Sequence, residues 1–215
     1  MINKIMPKVF TWMCLGLLIT FLTGYYVSTH EFTAMKLLGG YKYLILIILE
    51  IVLVIFLSVR ITKMSPTTAR ITFLLYSILN GLTFCGVFLV YNISSVIYVF
   101  LITALIFGIF AFLGAVTKVD LTKIGVYLVM GLIGVIICSV INIFINSGTF
   151  DFIISIISII VFVCFTAYDV QKIRKLSSSK AIAEDNLAIY GALELYLDFI
   201  NLFIDLLRIF GRGNN

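Results

Sequence analysis

The sequence predicts an all-α, polytopic membrane protein with seven transmembrane helices. Hydrophobic residues make up 62% of its 215 residues and charged residues 12%, whereas soluble domains have about 45–50% and 25%. Its mean hydropathy of +1.21 is too high for a polar surface to cover the apolar residues in water. Seven apolar stretches also reach the length of about 20 residues that a helix needs to cross a bilayer.

Short links separate the seven stretches, and several links contain residues that end helices. Gly39-Gly40 follows the first stretch, Ser65-Pro66 follows the second, and Asn146-Ser147-Gly148 follows the fifth. No soluble region is apparent, so residues 1–215 are expected to form a single integral membrane domain. The predicted spans are 9–28, 41–59, 71–91, 94–116, 122–145, 151–168 and 187–209.

Basic residues in the links predict the orientation, because cytoplasmic links carry more Lys and Arg. The third and fifth links contain neither residue type, and Lys36 and Lys42 in the first link are the exception to the pattern. We therefore expect a cytoplasmic N-terminus in a cell membrane. The basic residues of the N-terminus and of the even-numbered links are Lys4, Lys8, Arg60, Lys63, Arg70, Lys118, Lys123, Lys172, Arg174, Lys175 and Lys180.

The last span carries polar side chains at spacings of four, three, four and three residues. A helix turns about 100° per residue, so these side chains share one face. Carboxylates inside a bilayer are costly and mark function by default, which predicts an ion or proton site. The alternative is a structural seam in which the polar groups bond neighbouring helices, with Arg208 paired to Asp205. The polar face consists of Glu194, Asp198, Asn201, Asp205 and Arg208.

A second group joins three spans near the cytoplasmic side. The sixth span ends at Asp169, the second ends at Arg60, and Asp198 lies eleven residues inside the last apolar stretch. Two carboxylates in one dry site cannot both ionise cheaply, so one of them is expected to keep its proton. A nearby arginine would balance the charge in one conformation. In the alternative interpretation, Asp169 caps the sixth helix at the water interface and pairs with Lys172.

Glu50 lies ten residues before Arg60, near the middle of the second span, and is expected to face a cavity or a partner. Oxygen-rich acidic surfaces suit hard cations such as calcium, so Glu50 and the polar face predict an ion pathway. No loop has the spacing of a calcium-binding hand, and the four cysteines lie apart in apolar runs. The sequence therefore predicts no cofactor, and any cation site must be assembled between helices.

Two segments resemble the Bax inhibitor-1 family, also called transmembrane Bax inhibitor motif proteins. They are FTAYDVQKIRKL at 165–176 and LELYLDFINLFIDLLRIFG at 193–211. The resemblance implies a central C-terminal helix surrounded by six others, and a pH-sensitive calcium leak of the prokaryotic type. It also implies a gate formed by Asp169 and Asp198, which are candidate calcium ligands, and an arginine latch at Arg60. Asp205 departs from the family pattern.

Three further functions remain open at this point. An intramembrane aspartyl protease would also use two aspartates, and Tyr168-Asp169 fits its first motif. The second motif is Gly-x-Gly-Asp, whereas Leu195-Tyr196-Leu197 precedes Asp198 here, so we expect no enzymatic activity. The second open function is stress regulation without transport, and the third is calcium–proton exchange. The expected partners are the lipid bilayer, calcium and protons, without nucleic acid. A monomer is compatible with the sequence, which leaves the oligomeric state open.

Overall fold

The computed structural model describes residues 5–30, 34, 37–179 and 181–213. Seven helices in these ranges are long and apolar enough to cross a membrane, which confirms the predicted all-α membrane fold. Lys4, Lys36 and Lys180, which enter the orientation prediction, lie outside the described residues. The helices are α1 (Ile5–Ser28), α2 (Tyr41–Arg60), α3 (Pro66–Val90), α4 (Ile93–Val116), α5 (Ile124–Ile145), α6 (Gly148–Ser179) and α7 (Glu184–Phe210).

The residues that the sequence analysis expected to end helices do lie at helix ends. Gly40 precedes α2 with a φ of 61°, a left-handed conformation that glycine adopts without strain. Ser65 caps α3 by accepting a hydrogen bond from the backbone N–H of Thr68, and Pro66 takes the first helical position. Asn146 ends α5 with a φ of 51°. Local sequence therefore decides where these helices begin and end.

The sixth helix is longer than predicted, because α6 runs to Ser179 instead of ending near residue 168. No glycine or proline interrupts residues 169–179, and Val170 and Ile173 are fully buried. Apolar packing therefore continues beyond the apolar stretch. The interpretation of Asp169 as a cap of this helix is wrong, since the residue lies ten positions before the helix ends.

The chain divides into two compact units. The first contains α1, α2 and α3 with residues 176–196, and the second contains residues 94–175 with 197–212. The last helix supplies core residues to both units, since 72% of its most apolar stretch is buried, against 50% for α3. The expected position of this helix at the centre of the six others stays a prediction.

Small residues allow α1 and α3 to approach closely in the first unit. A Cβ atom built on Gly24 would lie 3.0 Å from the carbonyl oxygen of Gly81. Aromatic rings complete this core, because Phe73 and Tyr76 both contact the ring of Tyr196 edge-on at 5.9 Å between centroids. Glycine thus brings two backbones together, as helix packing in lipid favours.

In the second unit, glycines of α4 and α5 likewise allow close contact with α6. Gly114 lies against the backbone of Ala167, and Gly125 lies against the ring of Tyr168. Phe100 and Phe107 both contact the ring of Phe199, at 5.2 and 5.5 Å between centroids. Close backbone contact and aromatic packing therefore hold the acidic part of α7 in this unit.

Candidate functional site

Asp169 and Asp198 both lie in the second unit, on α6 and α7. Their exposed fractions are 2% and 4%, so both carboxyl groups are withdrawn from solvent. The ammonium Nζ of Lys172, one turn further along α6, lies 3.5 Å from Oδ1 of Asp169. It also lies over the ring of Tyr168, 5.8 Å from the centroid. The predicted Asp169–Lys172 pair is therefore present, but it lies inside the helix and not at its end, and the side chain of Lys172 is 31% exposed.

Arg60 is the last residue of α2 and is exposed. Within the first unit, the ion pairs at the N-terminal end of α7 involve Lys8 and Arg70 instead. Lys8 lies 2.8 Å from Glu184, and Arg70 lies 2.7 Å from Asp185. The role of Arg60 as a latch stays a prediction.

Glu50 faces helix α3, which identifies the partner that the sequence left open. Its carboxylate accepts hydrogen bonds from the side-chain amide of Asn80 and, at 2.9 Å, from the hydroxyl of Thr83. The carbonyl oxygen of Asn80 in turn accepts from the hydroxyl of Tyr196, at 2.9 Å. The expectation of a partner for this acid is confirmed. The link to Tyr196 was missed, because nothing in the sequence indicates which way a buried tyrosine points.

Asn201 and Glu194 differ in their surroundings from the buried acids of α7. Both are partly buried. The amide of Asn201 donates to the carbonyl oxygen of Leu197 in its own helix, at 2.7 Å, which leaves its side-chain oxygen as the group able to face a cation. Their place in an ion pathway stays a prediction.

Asp205 is 5% exposed and belongs to a charged group at the C-terminal end of α7. The hydroxyl of Ser158 on α6 donates to it. Nη1 of Arg208 lies 3.5 Å from Asp205 and 4.0 Å from Asp151. The predicted pairing of Asp205 with Arg208 is therefore present. Sequence reasoning missed Ser158 and Asp151, although Ser158 is a polar residue inside an apolar span and gave a signal.

Asn186 is a further polar residue that the sequence did not single out. It is 2% exposed, and its amide donates to the backbone carbonyl oxygens of Ile61 and Met64, at 2.9 and 2.7 Å. These carbonyls lie in the link between α2 and α3, which begins with a 3₁₀ turn over Ile61–Lys63. Asn186 therefore fastens the start of α7 to the link between α2 and α3.

Outside the membrane spans, Asp120 forms an ion pair with Lys175. The hydrogen bond from Lys175 is the main cause that lowers the pKa of Asp120, and hydrogen bonds from Thr122 act in the same direction. Gln171 closes the same link by bonding the backbone of Leu121 and of Val119, at 2.8 Å each. These contacts fix the α4–α5 link against α6.

The described residues contain no group of three or more His, Cys, Asp or Glu side chains that could hold a metal ion. The candidate calcium ligands Asp169 and Asp198 form a smaller set. They supply carboxylate oxygens, which calcium prefers, but calcium usually takes six to eight oxygen ligands. Their role as calcium ligands stays a prediction.

The comparisons with known proteins extend the resemblance along the whole chain. A family model described as Inhibitor of apoptosis-promoting Bax1 matches residues 2–215. The inner membrane protein YbhL of Escherichia coli K12 is 41% identical over 211 residues, which cover 96% of this chain and 90% of YbhL. An uncharacterized protein of Borreliella burgdorferi is 40% identical over 219 residues, covering 99% and 94%. An uncharacterized membrane protein of Streptococcus pyogenes serotype M1 is 39% identical over 168 residues, covering 78% and 73%.

Proposed function

Because this chain belongs to the Bax inhibitor-1 family, we propose that it is a pH-sensitive calcium leak of a cell membrane, gated by protonation of Asp169 and Asp198. The observation that carries the proposal is the burial of both carboxyl groups in one compact unit, at 2% and 4% exposure. Buried acids of this kind titrate as a coupled pair when they share a site. The proposed activity is transport and not an enzymatic reaction.

The gating step follows from the cost of buried charge. A carboxylate withdrawn from water needs a positive partner or a proton. Lys172 lies 3.5 Å from Asp169, and two ionised carboxylates that share a dry site repel each other. Protonation of one aspartate therefore removes repulsion, and loss of that proton favours a conformation that separates the carboxylates. Arg60 is the proposed latch for the deprotonated state.

The proposed ion pathway uses oxygen ligands on α2 and α7. Glu50, Glu194, Asn201 and Asp205 would offer carboxylate and amide oxygens to calcium, a hard cation. Calcium is the cargo in this proposal. The basic links favour a cytoplasmic N-terminus, so calcium would pass between the outside and the cytoplasm, with a monomer as the simplest working unit.

Calcium flux into liposomes containing the purified protein tests this function. We expect wild-type flux to change between about pH 6 and 8, and flux through Asp169→Asn and Asp198→Asn to be insensitive to pH in that range. Asp151→Asn is the matched control, because Asp151 also lies on α6 but is 45% exposed. Its flux should keep the wild-type pH dependence.

Two outcomes contradict the proposal in different ways. Wild-type pH dependence in both aspartate variants would remove the gate but leave the leak. An absence of calcium flux in the wild type at every pH would remove transport and favour the stress-regulatory alternative. Uphill calcium movement under an imposed pH gradient would replace a leak with exchange.

A further inference from the structure

A chain of hydrogen bonds connects four helices in the first unit and ends at Glu50. It begins at the carbonyl oxygen of Ser77, which lies 2.9 Å from the hydroxyl of Thr20. The hydroxyl of Thr20 lies 2.6 Å from that of Tyr196. Tyr196 contacts the side-chain oxygen of Asn80 at 2.9 Å, and the amide nitrogen of Asn80 contacts Glu50. This hydrogen-bond chain therefore contains four contacts, between residues of α1, α2, α3 and α7.

Counting protons shows that these four contacts cannot all form while Glu50 is ionised. The hydroxyl groups of Thr20 and Tyr196 carry one proton each. If the amide of Asn80 donates to Glu50, the hydroxyl of Tyr196 donates to the side-chain oxygen of Asn80. The hydroxyl of Thr20 then donates to the hydroxyl oxygen of Tyr196. No proton is then left for the carbonyl oxygen of Ser77, so three of the four contacts are hydrogen bonds.

One additional proton on Glu50 completes the chain in the opposite direction. The protonated acid donates to Asn80 once the amide of Asn80 has turned over, which exchanges its oxygen and nitrogen positions. Asn80 then donates to Tyr196, Tyr196 donates to Thr20, and Thr20 donates to Ser77. All four contacts are hydrogen bonds in this state, and Glu50 keeps a second oxygen as an acceptor.

We propose that Glu50 is a proton-binding site and that proton uptake reverses the direction of the hydrogen-bond chain through Asn80 and Tyr196 to Thr20. The bound ligand is a proton. When it binds, the hydroxyl of Tyr196 on the last helix changes the residue to which it donates. Because every member of the chain belongs to the first unit, the proposal is independent of calcium transport and of the aspartates in the second unit.

The surroundings of Glu50 support a neutral acid. Glu50 forms no ion pair with any residue that the structure describes. The titratable groups on which Glu50 acts electrostatically are tyrosines, namely Tyr43 on its own helix, Tyr76 on α3 and Tyr196 on α7. The hydroxyl of Thr83 lies 2.9 Å from the second oxygen of Glu50 and 2.8 Å from the backbone carbonyl oxygen of Asn80, and its one proton is shared between these two acceptors.

Infrared difference spectroscopy of the purified full-length protein between neutral and acidic pH tests the proposal. We expect acidification of the wild type to produce carboxylic-acid C=O bands from its several acids. The contribution of Glu50 should be missing in Glu50→Gln, while the bands of the other acids remain. The glutamine variant matches the protonated acid in size and can donate to Asn80. Glu184→Gln is the control, because Glu184 is an exposed acid paired with Lys8, and it should keep the contribution of Glu50.

The connection to the other helices is tested by removing one hydroxyl at a time. Tyr196→Phe and Thr20→Val each delete one more hydrogen bond from the protonated state than from the ionised state. Each variant should therefore weaken proton binding at Glu50 about three- to tenfold, as expected for one hydrogen bond. The pH at which the Glu50 band reaches half of its intensity should fall accordingly.

The results decide each part of the proposal. Carboxylic-acid bands in Glu50→Gln that are identical to those of the wild type place the proton elsewhere and overturn the site. Unchanged midpoints in both Tyr196→Phe and Thr20→Val overturn the hydrogen-bond chain. If Glu50→Gln does not fold, the two hydroxyl variants still decide, since a shift in both places the titrating acid at the end of this chain.

Discussion

Replacing Gly81 with alanine should destabilise the protein, because α1 crosses α3 at this residue without room for a side chain. A Cβ atom at Gly81 would lie 2.6 Å from the Cβ of Thr23 and 2.8 Å from the carbonyl oxygen of Thr20. The second obstacle is backbone and cannot rotate away. The two helices must therefore move apart if Gly81→Ala is to fold.

The magnitude follows from the required separation. Carbon atoms in contact prefer about 3.5–4.0 Å, so the helices would have to separate by about 1 Å at this point. Overpacking of this kind costs about 1–3 kcal/mol. The separation would also stretch the hydrogen bond from Thr20 to the carbonyl of Ser77, which is 2.9 Å long. Alanine regains about 0.5–1 kcal/mol of helix propensity, which offsets part of this cost.

Gly86→Ala is the matched control, because it lies on the same helix and a Cβ atom there has no described atom within 4 Å. The gain in helix propensity is the same in both variants and cancels in their comparison. Reversible unfolding in mixed micelles should therefore give Gly81→Ala a free energy of unfolding lower than that of Gly86→Ala by about 1–3 kcal/mol. A difference below about 0.5 kcal/mol would refute the close approach.

Three further predictions concern stability and charge. Asn186→Ala removes two hydrogen bonds to buried carbonyls and should lower the free energy of unfolding by about 1–3 kcal/mol, measured by thermal unfolding. Lys175→Met should raise the pKa of Asp120 toward its ordinary value of about 4, read by NMR titration. Since the pKa of Asp120 is lowered in the folded chain, the Asp120–Lys175 pair stabilises the folded state above about pH 4. This stabilisation is lost as the pH falls further. Gly114→Ala should reduce folded yield, whereas Gly108→Ala, with open space around its Cβ, should not.

The sequence contained the information for the helices and for several of their ends. Hydropathy is a property of consecutive residues, so seven apolar stretches gave seven helices. Ser65-Pro66 and Asn146 ended or began helices as expected, because caps are local hydrogen-bond arrangements. The C-terminal end of α6 was not predictable in this way. It depends on the burial of Val170 and Ile173, which only packing provides.

The polar residues show the same division. The sequence indicated that Glu50 faces a cavity or a partner, because an isolated carboxylate in lipid is too costly. It predicted Arg208 for Asp205 because three residues along a helix bring two side chains to one face. It did not predict Asn80 for Glu50 or Ser158 for Asp205, since those residues lie on other helices.

By itself, the sequence determined that the chain is a seven-helix membrane protein of the Bax inhibitor-1 family and which of its acids needed an explanation. The tertiary structure alone decided which acid contacts which partner. It also decided that the hydrogen-bond chain from Glu50 reaches Tyr196. The physical reason is that hydropathy and helical periodicity act over a few turns of one helix. The rotation and depth of one helix against another are set by contacts between residues far apart in sequence.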